Sequence, residues 1–179
     1  MKKYLALLRG INVGGKNKVE MRKLKTVFEN AGFSNVSTYI NSGNVIFESK
    51  ENDADKLISI IKMILKNFDF EIQVIIRSSA NISKLTKAIP ADWQNNDVQK
   101  TDVLFLRADF DNKKSLNLIK QTPGVDNVIY VNGAIIWNVK RIDYNRSGMK
   151  KFIGTELYKN MTARNVNTVR KFSELMNNV

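Results

Sequence analysis

Two stretches of this chain repeat one pattern, and that repeat constrains the sheet it can build. "NVSTYINSGNVIF" (35–47) and "NVIYVNGAIIW" (127–137) each place β-favouring runs around a short turn of Asn, Gly or Ser. Such tight turns join antiparallel neighbours, because parallel strands need a crossover of a dozen or more residues. The repeat therefore predicts two related halves with mostly antiparallel sheets. It argues against one parallel, doubly wound sheet.

The residues around each hairpin extend this reading. "KYLALLR" (3–9) has the length and apolar content of a buried strand. Met21, Leu24, Val27, Phe28 and Ala31 recur at helical spacing, with Gly32 as a stop, and predict a helix over 18–31. After the hairpin at 41–44, Asp53 is placed to cap a helix carrying Leu57, Ile58, Ile61, Ile64, Leu65 and Phe68, and "EIQVIIR" follows as a strand. The first half reads β-α-β-β-α-β.

The second half starts similarly. "SANISKLTKAIP" predicts a short helix ended by Pro90, "TDVLFLR" a strand, and Asp111 a cap for a helix carrying Leu116 and Ile119. The hairpin around Asn132-Gly133 comes next. Met149, Phe152, Ile153 and Leu157 then suggest one helical segment, and Val166, Val169, Phe172 and Met176 a final helix. No obvious fourth strand completes this half.

"LLRGINVGGKNK" (7–18) is the motif closest to chemistry. Gly10, Gly15 and Lys16 fit G-x-x-x-x-G-K, but Asn17 stands where a Walker loop needs a hydroxyl for Mg²⁺, and the hairpins contradict its parallel sheet. Asn17 lies three residues before Glu20, the spacing of a helix cap and its reciprocal partner. Two readings stay open: a plain strand-to-helix turn, or an anion nest of backbone N–H groups with Arg9 and Lys16.

Charge and composition narrow the function classes. The net charge is +12, and the excess sits at the two ends: residues 1–25 hold eight Lys/Arg against one Glu, residues 140–179 nine against three acids. That favours an anionic partner, a small phosphorylated molecule or a nucleic acid; the ordinary alternative is solubility. With no Cys and no His, the chain has no disulfide, no thiolate nucleophile and no imidazole base or ligand. No apolar run reaches the roughly 18 to 20 residues of a membrane span, and Arg9 interrupts any signal-peptide core, so the expectation is a cytoplasmic protein with no membrane partner.

Other motifs are weaker. Ser147-x-x-Lys150 fits an acyl-enzyme pattern, but so does Ser59-x-x-Lys62 inside a predicted helix. Asp109-Phe110-Asp111 resembles a metal or phosphotransfer pair, yet Asp111 is better used as a cap. The β-α-β-β-α-β order also belongs to RNA-recognition domains. Phe47 is the only aromatic in "GNVIFES", and Tyr4 and Tyr39 read as core rather than as stacking surface.

"ALLRGINVGGKNKVEM", "TYINSGNVIF" and "TARNVNTVRK", in this order, closely resemble the bacterial proteins grouped as domain-of-unknown-function family 1697. The resemblance implies an α+β fold of two ferredoxin-like (β-α-β-β-α-β plait) subdomains with mostly antiparallel sheets and C-terminal helices. On this chain they fall at 1–78 and 101–179, with a helix and connector at 79–100. It implies no activity, and any cofactor stays unknown. The motif residues Arg9, Gly10, Asn12, Gly14, Gly15, Lys16, Ser42, Asn44, Arg164 and Asn165 are the candidate ligand-binding set, with Arg164 expected beside the glycine loop. Against that stands a structural reading in which Asn and Gly serve turns and Thr162 or Asn165 caps the last helix. The leading function is a binding module for an anionic or phosphorylated small ligand such as a nucleotide. A sequence-tolerant nucleic-acid binder and a partner-binding protein without activity are the alternatives, and no residue constellation supports an enzyme.

Overall fold

A computed structural model describes residues 1–177, which form two compact units, one over Met1–Ser79 and one from Ala80 onward. The first unit runs β1 (Lys2–Arg9), α1 (Met21–Asn30), β2 (Ser34–Tyr39), β3 (Asn44–Ser49), α2 (Ala54–Leu65) and β4 (Gln73–Ser78). Its sheet order is β2-β3-β1-β4 and every neighbouring pair is antiparallel. Each helix connects two strands separated by one intervening strand, the arrangement of a ferredoxin-like plait.

Side-chain alternation explains where the helices go. Tyr4, Ala6, Leu8, Val45, Phe47 and Val74 point to one face, where Leu24 and Phe28 of α1 and Leu57, Ile61 and Leu65 of α2 cover them. Phe47 is central to an aromatic cluster, with ring centroids 4.6 Å from Phe33, 5.5 Å from Phe28 and 5.7 Å from Tyr4. The opposite face carries Leu5, Leu7, Ile46 and Ile75, all buried as well. Asp53 caps α2 as the sequence predicts, its carboxylate accepting from the amides of Asp55 and Lys56.

The second unit contains α3 (Ser79–Ala88, its first residue at the boundary), β5 (Gln99–Leu106), β6 (Asp126–Val131), β7 (Ala134–Lys140), α4 (Glu156–Lys159), β8 (Met161–Asn165) and α5 (Val166–Asn177). Its sheet order, β6-β7-β5-β8, repeats that of the first with all pairs antiparallel. The fourth strand thus exists, contrary to the sequence reading. "MTARN" hides it because an edge strand of five residues needs few apolar positions.

Two further expectations are corrected. The segment with Leu116 and Ile119 forms a 3-10 turn over Lys113–Leu118, and Asp111 does not cap it. Asp111 Oδ1 instead accepts from Tyr130 Oη (2.9 Å) and the Gly133 amide (2.7 Å), fixing the β6–β7 turn. The helix expected around Met149 is a 3-10 turn, Gly148–Lys151, separated from the four-residue α4. Among the described residues no helix is long and apolar enough to cross a membrane.

Candidate functional site

The glycine loop is a miniature hairpin. Val13 and Lys16 form a bridge around Gly14 and Gly15, whose φ values of 60° and 75° are those of a turn that a side chain would strain. Lys16 N donates to Val13 O (3.1 Å) and Asn12 N to Asn17 O (3.0 Å), giving the loop two rungs. Gly10, Asn12 and Asn17 are also at positive φ. Asn tolerates that region better than most side chains, because its short amide bonds locally.

Both asparagines serve the backbone. The Asn17 side chain donates to Gly10 O (3.0 Å) and closes the base of the loop. Asn12 accepts from Val19 N (2.8 Å) and donates to Val19 O (3.0 Å) and Asn41 O (2.9 Å). Asn17 therefore does not cap a helix. α1 begins at Met21, four residues later, with Glu20 at its N-cap position making no side-chain bond there, so the expected helix start at Lys18 is corrected. The loop does not run directly into a helix N-terminus.

The Tyr39–Asn44 turn lies against this loop through Asn12 and through Gly43. A Cβ on Gly43 would stand 2.7 Å from both Leu8 Cβ and Ile11 Cδ1, so close packing demands glycine there. Asn44 is fully buried; its amide donates to Tyr39 O (3.0 Å) and Ser42 Oγ (2.9 Å), which fixes the turn. Ile40, also in this turn, holds φ 50° and is 48% exposed, a costly conformation for a β-branched residue. The first unit thus brings Arg9, Gly10, Asn12, Gly14, Gly15, Lys16, Ser42 and Asn44 to one end of its sheet.

Their exposures divide them. Gly14, Gly15, Lys16 and Lys18 are exposed, and open space surrounds the Cβ positions of both glycines. The amides of Gly14, Gly15 and Lys18, and the Lys16 and Lys18 ammonium groups, have no polar partner among the described residues. Sequence reasoning missed Lys18 because it assigned that residue to a helix.

Arg164 and Asn165 belong to the second unit. Asn165 Oδ1 accepts from Thr168 N (3.0 Å) and caps α5, as one sequence reading allowed. Arg164 lies in β8, is 8% exposed, and its Nη1 donates to Thr162 Oγ1 (3.0 Å) and Ala163 O (2.8 Å). Burial lowers its pKa to about 10.

The rejected motifs have structural roles. Ser147 is fully buried, donates to Asp126 Oδ1 and accepts from Met149 N (3.0 Å). Asp126 also accepts from Trp137 Nε1 (2.9 Å), Thr122 N (2.7 Å) and Gly148 N (2.9 Å). Burial alone would raise the Asp126 pKa, but these four hydrogen bonds outweigh it and hold the carboxyl below the usual aspartate value. Phe47 and Tyr4 face α1 and are buried, so no RNA-recognition stacking surface forms on them. No group of three or more His, Cys, Asp or Glu among the described residues is arranged to hold a metal ion.

A conserved bacterial protein from Streptococcus pneumoniae has the same fold, with TM-score 0.86 and 26% identity over 98% of each chain. The acetolactate synthase small subunit of Thermotoga maritima aligns over 92% of this chain and 97% of its own at 17% identity, but its TM-score of 0.24 carries no argument. No curated protein gives a significant match. The model of the family described as protein of unknown function (DUF1697) matches residues 1–137, which hold the glycine loop and both hairpins, and the chain belongs to that family.

Proposed function

We propose that the glycine loop of the first unit is a binding platform for a small anionic ligand carrying phosphate, such as a nucleotide. One observation carries this reading: five positive-φ residues between Gly10 and Asn17 are held in place by the loop's own hydrogen bonds, while its tip stays in solvent. Gly43 has a packing reason to be glycine; Gly14 and Gly15 have none beyond the backbone shape itself. Backbone conformations this restricted persist where the surrounding structure enforces them, and they concentrate at functional sites. Amides at the tip supply directional donors, and Lys16 and Lys18 supply charge that no carboxylate pairs with among the described residues, Glu20 included.

A thermal-shift screen with nucleotides, sugar phosphates and inorganic phosphate tests it. A ligand at 100 times its dissociation constant stabilises the fold by about 2.7 kcal/mol. The Lys16→Ala/Lys18→Ala variant should melt like the parent and lose that shift. A parent that shifts with none of these compounds, or a variant that keeps the full shift, contradicts the reading.

A further inference from the structure

In the second unit two segments that carry basic residues meet. Lys120 lies on one; Arg146, Lys150 and Lys151 belong to the other, and all four are exposed. Two features bring their backbones together. Asp126 accepts from Thr122 N on the first segment and from Ser147 Oγ and Gly148 N on the second. A Cβ on Gly148 would meet Lys120 O at 1.8 Å, so the approach exists only because residue 148 is glycine. Thr122 Oγ1 adds a bond to Arg146 O at 2.8 Å.

The acidic residues nearby leave the surface positive. Asp126 is committed to its four donors, and Asp143 pairs with Arg146 at 3.1 Å. Lys150 donates to the neutral Asn145 side chain (2.8 Å), while Lys120 and Lys151 have no polar partner among the described residues. The exposed large apolar neighbours are Ile142 (89%) and Ile153 (72%), and the half-buried Tyr144 packs against the core of the unit. The segment over 141–151 consists of 3-10 turns and irregular chain, unlike the long helix that enters a duplex groove.

We infer that Lys120, Arg146, Lys150 and Lys151 form a sequence-tolerant binding surface for the phosphate backbone of single-stranded nucleic acid. Each ammonium neutralises a phosphate and releases its counterion, and Arg146 adds a contact by exchanging Asp143 for a phosphate, so affinity comes from charge and falls with salt. These residues belong to the second unit, and the inference does not rest on the function proposed for the glycine loop.

Fluorescence anisotropy with a labelled oligothymidylate tests the inference. The three lysines imply a loss of affinity of roughly 20-fold between about 50 and 200 mM salt, and a fourth contact through Arg146 raises it to about 50-fold. The variant Lys120→Glu/Arg146→Glu/Lys150→Glu/Lys151→Glu should lose binding, whereas Lys62→Ala/Lys66→Ala, at exposed positions of the first unit, should bind as the parent does. Should the fourfold variant fail to fold, Lys120→Ala and Lys151→Ala serve instead, each flattening the log-log salt slope by about 0.7. No binding at low salt overturns the inference, as does a salt slope that these alanine variants leave unchanged.

Discussion

In the first unit, β1 reaches β2 through the ten-residue α1, whose Leu24 and Phe28 are fully buried. In the second, β5 reaches the equivalent strand β6 through 3-10 turns, which carboxylates help to fix: Asp111 holds the β6–β7 turn and Asp126 holds the two segments that flank it in sequence. Two sheets of the same strand order are thus completed by different physics. An amphipathic helix contributes through apolar area and tolerates small changes in position; a half-buried carboxylate holding several donors contributes through direction and tolerates almost none. The second device also brings cationic segments close together, which a helix stripe does not require.

If this contrast is right, the largest effect in the first unit comes from volume. Phe28→Ala removes a ring that meets Phe33 and Phe47 and should cost about 3–5 kcal/mol in urea unfolding. In the second unit the largest effect should come from adding a single methyl group. Gly148→Ala meets Lys120 O and should cost about 3 kcal/mol; a cost below about 1 kcal/mol would show that the two segments are not held as described.

A smaller effect in the second unit depends on pH. The folded state holds the Asp126 pKa below its unfolded value, so its contribution is complete above the usual aspartate range and is lost as pH falls through the folded value. Unfolding followed by Trp137 fluorescence, with Trp93→Phe as background, should therefore show stability falling below about pH 4, and Asp126→Asn should flatten that fall. An unchanged acid profile in Asp126→Asn would remove the carboxylate from the account.

The sequence made the hairpins legible because Ser, Gly and Asn sit at their turns and β-favouring residues flank them, a local signal. It made α1 and α2 legible because their apolar stripes are long. β8 was hidden because five residues with Thr, Arg and Asn carry no period, and the 3-10 turns because capping-type residues and scattered apolar positions resemble a helix over short windows. In the loop, the Asn17–Glu20 spacing imitates a capping box. The actual arrangement depends on Asn12 reaching Asn41, 29 residues away, which no local pattern encodes. The Asp126 cluster was invisible for the same reason: its donors are spread from Thr122 to Gly148.

Backbone amide shifts during titration with a nucleotide compare the units most directly. Gly14 and Gly15 in the first unit and Gly124 and Gly154 in the second are all exposed, at positive φ and in open space, so they differ in little but their surroundings. The account predicts that the Gly14, Gly15 and Lys18 amides shift and saturate together while Gly124 and Gly154 stay in place. If Gly14 and Gly15 do not move, or all four glycines move alike without saturating, the loop is a turn and the proposed platform is contradicted.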